Sequence, residues 1–270
     1  MNSCLLWVGG KKKLATRIVS HFPEHRLYCE PFCGAAWVFF RKQKSEIEVI
    51  NDLNGSLITF WKVIQDKEKM LEFRKRLEQI PISEQLFYNF KDKIVFKDDI
   101  EQAVCFYYCL KLSFSASEVD ATFGDTVEME SKFLSFRNTD WESIWKRLQR
   151  VTILNRDAVE VIEQYDSPHT LFYCDPPYMV SDDRQDYKFQ DSFLHQRLLN
   201  ILRNLKGKFI LSYDCNPSIK QMYDWAHITK LQLKYGLGNS DNMDTRRYRE
   251  EYLITNFEIG KTTQLGKWYK

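Results

Sequence analysis

Leu171-Phe172-Tyr173-Cys174-Asp175-Pro176-Pro177-Tyr178 is an apolar run that stops at an acid, two prolines and an aromatic ring. The run is short and follows the polar cluster Ser167-Pro168-His169-Thr170, so it reads as a buried strand. The prolines end the strand and fix the backbone where an open α/β sheet exposes its binding crevice. A carboxylate, a proline carbonyl and an aromatic face are thereby gathered at one strand's carboxyl edge.

Outward from this segment, strands and helices alternate. Residues 151–154 read as a strand ending at Asn155-Arg156-Asp157, followed by a helix over 159–164. Downstream come a helix over 193–205, a strand over 208–213 and a helix over 218–225; late strands over 228–235 and 250–257 flank a loop at 236–249. Upstream, a helix over 14–22 precedes strands at 27–32 and 46–51. Glu30-Pro31-Phe32-Cys33-Gly34-Ala35-Ala36 leads from the first of these strands into a helix from Trp37. This alternation implies a mainly parallel sheet.

Between residues 57 and 150 the strands disappear. Helices are expected over 57–65, 68–79, 99–112 and 141–148, with Pro81 as a break. The fold class is therefore α/β, with a catalytic domain of residues 1–56 and 151–270 split by a helical insertion of residues 57–150. Within the insertion, 111–137 is polar, aromatic and weakly patterned, and reads as an exposed recognition loop or hairpin. The acidic stretch 179–193 reads as a mobile loop over the site.

Composition narrows the setting. A net charge of +2 over 270 residues means that any polyanion must be met by a local basic surface. The seven cysteines lie mostly in apolar runs without the spacing of a metal site, and read as reduced thiols in a reducing cytoplasm. No apolar run approaches the roughly 20 residues of a membrane span, and no cleavable signal is visible.

The chemistry follows from residue types. The amino group of a base is a poor nucleophile because its lone pair is delocalised into the ring. Two acceptors aimed at its hydrogens turn that lone pair outward, and an aromatic ring can stack on the base. Asp175 and the Pro176 carbonyl are the candidate acceptors, Pro177 stiffens the turn, and Tyr178 is the candidate platform. The small-residue turn around Gly34 lets a ligand reach the backbone, and Asp52 stands where a ribose diol is usually held. Gly9-Gly10-Lys11 brings a freed backbone and an ammonium group to a helix start. Each feature alone also has a plainer reading: a capped strand end, a packing turn, a solvated lysine run.

The order Trp7-x-Gly9-Gly10-Lys11, Glu30-Pro31-Phe32-x-Gly34, Asp52, helical insertion, Asp175-Pro176-Pro177-Tyr178 resembles the Dam-type D12 class of DNA adenine N6-methyltransferases, in the α arrangement. Phe209-Ile210-Leu211-Ser212-Tyr213 and Glu251-Tyr252-Leu253-Ile254-Thr255-Asn256 are similar to that family too. The resemblance implies a Rossmann-like S-adenosylmethionine-dependent methyltransferase sheet closed by an antiparallel hairpin, with an inserted helical target-recognition domain. It implies S-adenosylmethionine as cofactor and S-adenosylhomocysteine as product, and direct methyl transfer to N6 of an adenine flipped out of the stack. By the same resemblance Trp7, Gly10, Lys11, Glu30, Phe32, Gly34, Asp52, Asp157 and Asp175 bind the cofactor, Asp157 near its adenine ring. Lys11 would meet the methionyl carboxylate or a DNA phosphate.

Double-stranded DNA is the implied partner, with a restriction endonuclease among the settings the family allows, in a bacterial or phage-infected cell. No metal and no membrane are required. Ser113 and Ser115 in the recognition loop, and Arg246 and Arg247 before the last strand, are the expected DNA contacts. Ala36 stands where the family usually has a second glycine, and the family's recognition-loop signature is not evident, so no target sequence transfers. Methylation of cytosine N4 or of RNA, and a catalytically silent nucleic-acid-binding module of the same fold, remain alternatives.

Overall fold

A computed structural model describes residues 1–7, 9–113, 121–124, 131, 133–178, 185–234 and 248–259. Seven strands form one sheet in the order β3-β2-β1-β4-β5-β7-β6, where β1 is Leu27–Glu30, β2 Ile47–Asn51, β3 Val151–Leu154, β4 Thr170–Cys174, β5 Lys208–Asp214, β6 His227–Lys234 and β7 Tyr248–Thr255. The expected parallel core is present: β1 pairs with β4, Cys29 opposite Phe172, and β4 with β5, Cys174 opposite Leu211. β7 runs antiparallel to both β5 and β6, which is the closing hairpin the resemblance implied. β4 is buried at every residue, as a central parallel strand covered on both faces must be.

Contacts divide the chain into two compact units. The first comprises Met1–Lys12, Cys33–Arg41 and Ile50–Arg156; the second comprises Lys13–Phe32, Lys42–Val49 and Asp157–Lys270.

The first unit is helical over most of its length: α2 (Trp37–Arg41), α3 (Gly55–Gln65), α4 (Lys67–Gln79), α5 (Glu84–Lys91), α6 (Asp99–Leu112) and α7 (Trp141–Leu148). Short polar side chains start most of them. Asn54, Asp66, Ser83, Asp98 and Asp140 each accept a backbone N–H of the following turn, an arrangement worth about 1 kcal/mol apiece. α6 is buried from Ala103 to Leu112, so it is the axis of the unit rather than a surface helix. α3, α4 and α5 pack against it. Between them Phe60, Phe73, Tyr107 and Trp141 interlock edge to face, and Phe60 stacks on Tyr107.

Helix α5 was not expected from the sequence. Its start is nevertheless written in Ser83, whose hydroxyl accepts from Leu86 N. Of the exposed loop or hairpin expected over 111–137, Lys111 and Leu112 belong to α6, Ser113 bridges antiparallel to Phe123, Gly124 N donates to Leu112 O, and Phe133 and Phe136 are buried; 114–120, 125–130 and 132 lie outside the described residues.

In the second unit, α1 covers only Ala15–Val19 instead of 14–22, since Pro23 disfavours helical geometry at Phe22. The remaining helices are α8 (Ala158–Tyr165), α9 (Gln185–Arg203) and α10 (Pro217–Met222). α9 corrects the loop expected over 179–193, because its backbone is helical from Gln185. Polarity alone misled there: 185–193 contains no glycine or proline, and Gln185, Lys188 and Gln190 are good helix formers. Residues 179–184 lie outside the described residues. Among the described residues no helix is long and apolar enough to cross a membrane.

Candidate active site

In the first unit, β2 runs out into Asp52, whose carboxylate is held by peptide groups. Oδ2 accepts from Gly34 N at 2.9 Å and Oδ1 from Asn54 N at 3.0 Å. Burial pushes the Asp52 carboxyl above its ordinary range, against the pull of N–H groups from Asn54, Gly34 and Leu53. The loop carrying it is tied down on both sides. Cys33 N donates to Asn51 O, and the Asn51 amide clasps both the N–H and the carbonyl of Arg156. Asn155 Nδ2 donates to the carbonyls of Asp52 and Leu53.

Gly34 has φ +45°, and a Cβ there would come within 3.0 Å of the Trp7 ring. Its carbonyl accepts from Trp61 Nε1. The residue type is thus forced twice, by backbone conformation and by the indole lying against it. Two positions on, Ala36 is wholly buried with φ +53°, in the same left-handed region without a glycine's freedom. Gly10 N closes a turn onto Trp7 O, and a Cβ on Gly10 would meet that carbonyl at 3.0 Å. Lys11 is buried, and its ammonium donates to Gly9 O at 3.0 Å. Trp7, Gly10, Gly34 and Asp52 are therefore brought together, with Lys11 turned onto the glycine turn.

In the second unit, β4 is followed at once by Asp175. Its Oδ1 accepts from Ser212 Oγ at 2.9 Å, and Tyr173 OH lies 3.0 Å from the same hydroxyl. Pro176 is buried, Pro177 exposed, and Tyr178 half-buried. The Tyr178 ring stacks on Tyr213 at 5.2 Å between centroids and 23° between planes, and its hydroxyl donates to Glu251 Oε2 at 3.4 Å. Burial first, then the carboxylates of Asp175, Glu251 and Asp214, push the Tyr178 phenol far up, so it stays a donor. Beneath it, buried His195 on α9 hydrogen-bonds the Tyr213 hydroxyl.

Glu30, at the end of β1, is buried and accepts from Tyr28 OH at 2.7 Å. Phe32 is half-buried in the turn that follows. Asp157 caps α8 through the N–H groups of Val159 and Glu160 and forms a two-pronged pair with Arg197, both contacts at 2.9 Å. Burial raises the Asp157 carboxyl, but Arg197 and the two N–H donors outweigh it and the net direction is down. Ser113, expected as a DNA contact, is buried and bridges to Phe123. Ser115, Arg246 and Arg247 lie outside the described residues.

Ser212, Tyr213, Glu251 and His195 were not among the expected site residues. The signal for the first was available in the strand register: Cys174 pairs with Leu211, so the next step puts Asp175 beside Ser212. Among the described residues no group of three or more His, Cys, Asp or Glu side chains could hold a metal ion.

A carboxylate and a stacked aromatic ring at the carboxyl edge of a parallel strand, in a sheet closed by an antiparallel hairpin, mark the Rossmann-like methyltransferase class. The comparison with known families narrows the class. The chain belongs to the D12 class N6 adenine-specific DNA methyltransferases, whose family pattern matches residues 7–237.

It is 25% identical over 240 residues to the DNA N-6-adenine-methyltransferase of Escherichia phage P1, covering 82% of this chain and 31% of that protein. It is 23% identical over 279 residues to the DNA adenine methylase of Salmonella typhi, covering 97% of this chain and 98% of that protein. With the DNA adenine methylase of Escherichia coli K12 it shares 24% identity over 267 residues, 92% of this chain and 93% of that protein. The match thus spans about a third of the phage protein's length but nearly all of the two bacterial ones.

Proposed function

We infer that this chain methylates the N6 amino group of adenine in DNA. The observation that carries the reading is the Asp175 carboxylate, held from the side by Ser212 at the tip of β4 and followed at once by Pro176, Pro177 and the Tyr178 ring. Asp175 and the Pro176 carbonyl accept the two amino hydrogens, so the nitrogen's lone pair points out of the ring plane. Tyr213 backs one face of Tyr178, and the target base stacks on the opposite face. A base inside a duplex cannot reach this position, so it has to leave the stack, at a cost of a few kcal/mol.

S-adenosylmethionine, the methyl donor the family implies, supplies a sulfonium-activated methyl group when bound. The residues of the first unit fit it. Asp52 presents a carboxylate fixed by two N–H groups and still able to accept from ribose hydroxyls. The surface beside it is built by Gly34 and Gly10, where a side chain would fill the space against Trp7. Lys11 is the charge for the methionyl carboxylate, and Glu30 and Phe32 keep the cofactor roles that the resemblance implies. The helical stretch 57–150, with the segment that Ser113 and Phe123 bracket, supplies target recognition. None of the seven cysteines is in a disulfide and six are buried, which supports a reducing cytoplasm as the setting.

The test is methyl transfer from labelled S-adenosylmethionine to unmethylated DNA, with digestion and identification of the labelled nucleoside. N6-methyladenine, confined to one sequence context, is expected. Label in cytosine, or in RNA alone, would overturn the assignment.

A further inference from the structure

The side chains behind Asp175 form a chain with a direction. Tyr173 is on β4 and Asp175 follows its last residue, Cys174; both reach Ser212 on β5, whose neighbour Leu211 pairs with Cys174. A carboxylate accepts and does not donate, so the single proton of Ser212 goes to Asp175 Oδ1. The carbonyl of Cys174 competes for that proton from 3.4 Å, against 2.9 Å for the carboxylate, and loses. With its proton committed, Ser212 can only accept, from Tyr173 OH at 3.0 Å and from the Tyr178 hydroxyl that also hydrogen-bonds it. The order is Tyr173 to Ser212 to Asp175. Ser212 is wholly buried and Tyr173 nearly so, so water cannot take over either position. Burial also holds the Tyr173 phenol well above its ordinary range, which keeps it a donor.

We propose that Ser212 is a positioning residue for Asp175, with Tyr173 acting through it. This rests on the function proposed above and adds a residue pair to it. A carboxylate's terminal torsion is broad and roughly two-fold. A hydrogen bond to one oxygen fixes the plane of the group, so the amino hydrogen is received by an acceptor that does not rotate away. Ser212 touches neither base nor cofactor in this account.

Ser212→Ala, Tyr173→Phe and the double variant test it, each checked for folding by thermal unfolding. Loss of a hydrogen bond to a charged group predicts a kcat lowered about 10- to 100-fold for Ser212→Ala, with KM for DNA unchanged. Tyr173→Phe lowers kcat less, and adds nothing in the Ser212→Ala background, because its effect passes through the missing hydroxyl. Parental kcat in Ser212→Ala, or single effects that multiply in the double variant, would overturn the proposal. If the parent enzyme labels a base other than adenine, the adenine assignment falls while these ratios still judge Ser212. If the parent transfers no methyl group, crystals decide: Asp175 takes a second carboxylate orientation in Ser212→Ala but keeps one in the parent. The same single orientation in both would end the proposal.

Discussion

The carboxylates that follow β2 and β4 are held in opposite ways. Asp52 is gripped by peptide N–H groups of Gly34 and Asn54, whereas Asp175 is gripped by the hydroxyl of Ser212 with Tyr173 behind it. A backbone grip belongs to the fold and can be loosened only by changing the backbone's conformation. A side-chain grip can be removed one atom at a time without touching the strand. The first suits a carboxylate that must stand at a fixed place for a ligand; the second leaves the acceptor of a reaction open to adjustment.

Three substitutions probe this contrast. Gly34→Ala attacks the backbone grip and should have the largest effect. An alanine at φ +45° costs about 1–2 kcal/mol from the backbone alone, and its Cβ meets the Trp7 ring at 3.0 Å. A lowered Tm together with weakened S-adenosylmethionine binding by calorimetry is expected. Unchanged affinity would mean that Gly34 N does not position Asp52.

Asp157 combines both modes, accepting from Val159 N and Glu160 N and from Arg197. Arg197→Gln removes only the side-chain part, and with both partners about a third exposed the expected loss is about 1 kcal/mol. The native Asp157 carboxyl is held below its ordinary value, so its contribution is present above the usual carboxylate range and disappears as pH falls through the lowered native value. Urea unfolding of parent and variant in neutral buffer, repeated below the carboxylate range, should show the gap closing in acid. A gap that stays constant with pH would assign Arg197 a packing role instead.

The smallest effect is expected at Ala36, the one position of the turn where an alanine sits in the conformation that favours glycine. Ala36→Gly relieves about 1–2 kcal/mol of left-handed strain and gives back about 0.4–1 kcal/mol through a more flexible unfolded chain. A net gain of about 1 kcal/mol or less in unfolding free energy should follow, with methyl transfer intact. A loss of stability would show that the cavity left by the methyl group outweighs the strain.

The parts of this molecule that were legible beforehand are those with a local signature. β4 announces itself by an uninterrupted apolar run closed by two prolines, and the turn at Gly34 by its small residues. The helices expected over 57–65, 68–79 and 99–112 stand within a residue or two at α3, α4 and α6. Less legible were elements whose identity depends on company. The first two turns of α9 are polar and read as loop; α5 is short, with a cap but little apolar periodicity. The side-chain half of the site was invisible for a related reason. The stretches around Ser212 and Glu251 resemble the family, but their places at the site emerge only when β5 is aligned beside β4 and β7 beside β5.

The most direct test of the account is single-turnover methyl transfer to unmethylated DNA by Asp175→Ala beside the parent, in preparations with matched unfolding curves. Removing a preorganised acceptor from the reacting group predicts N6-methyladenine from the parent and a rate lower by about 100-fold or more in the variant. Methylation by Asp175→Ala at the parent's rate would contradict it.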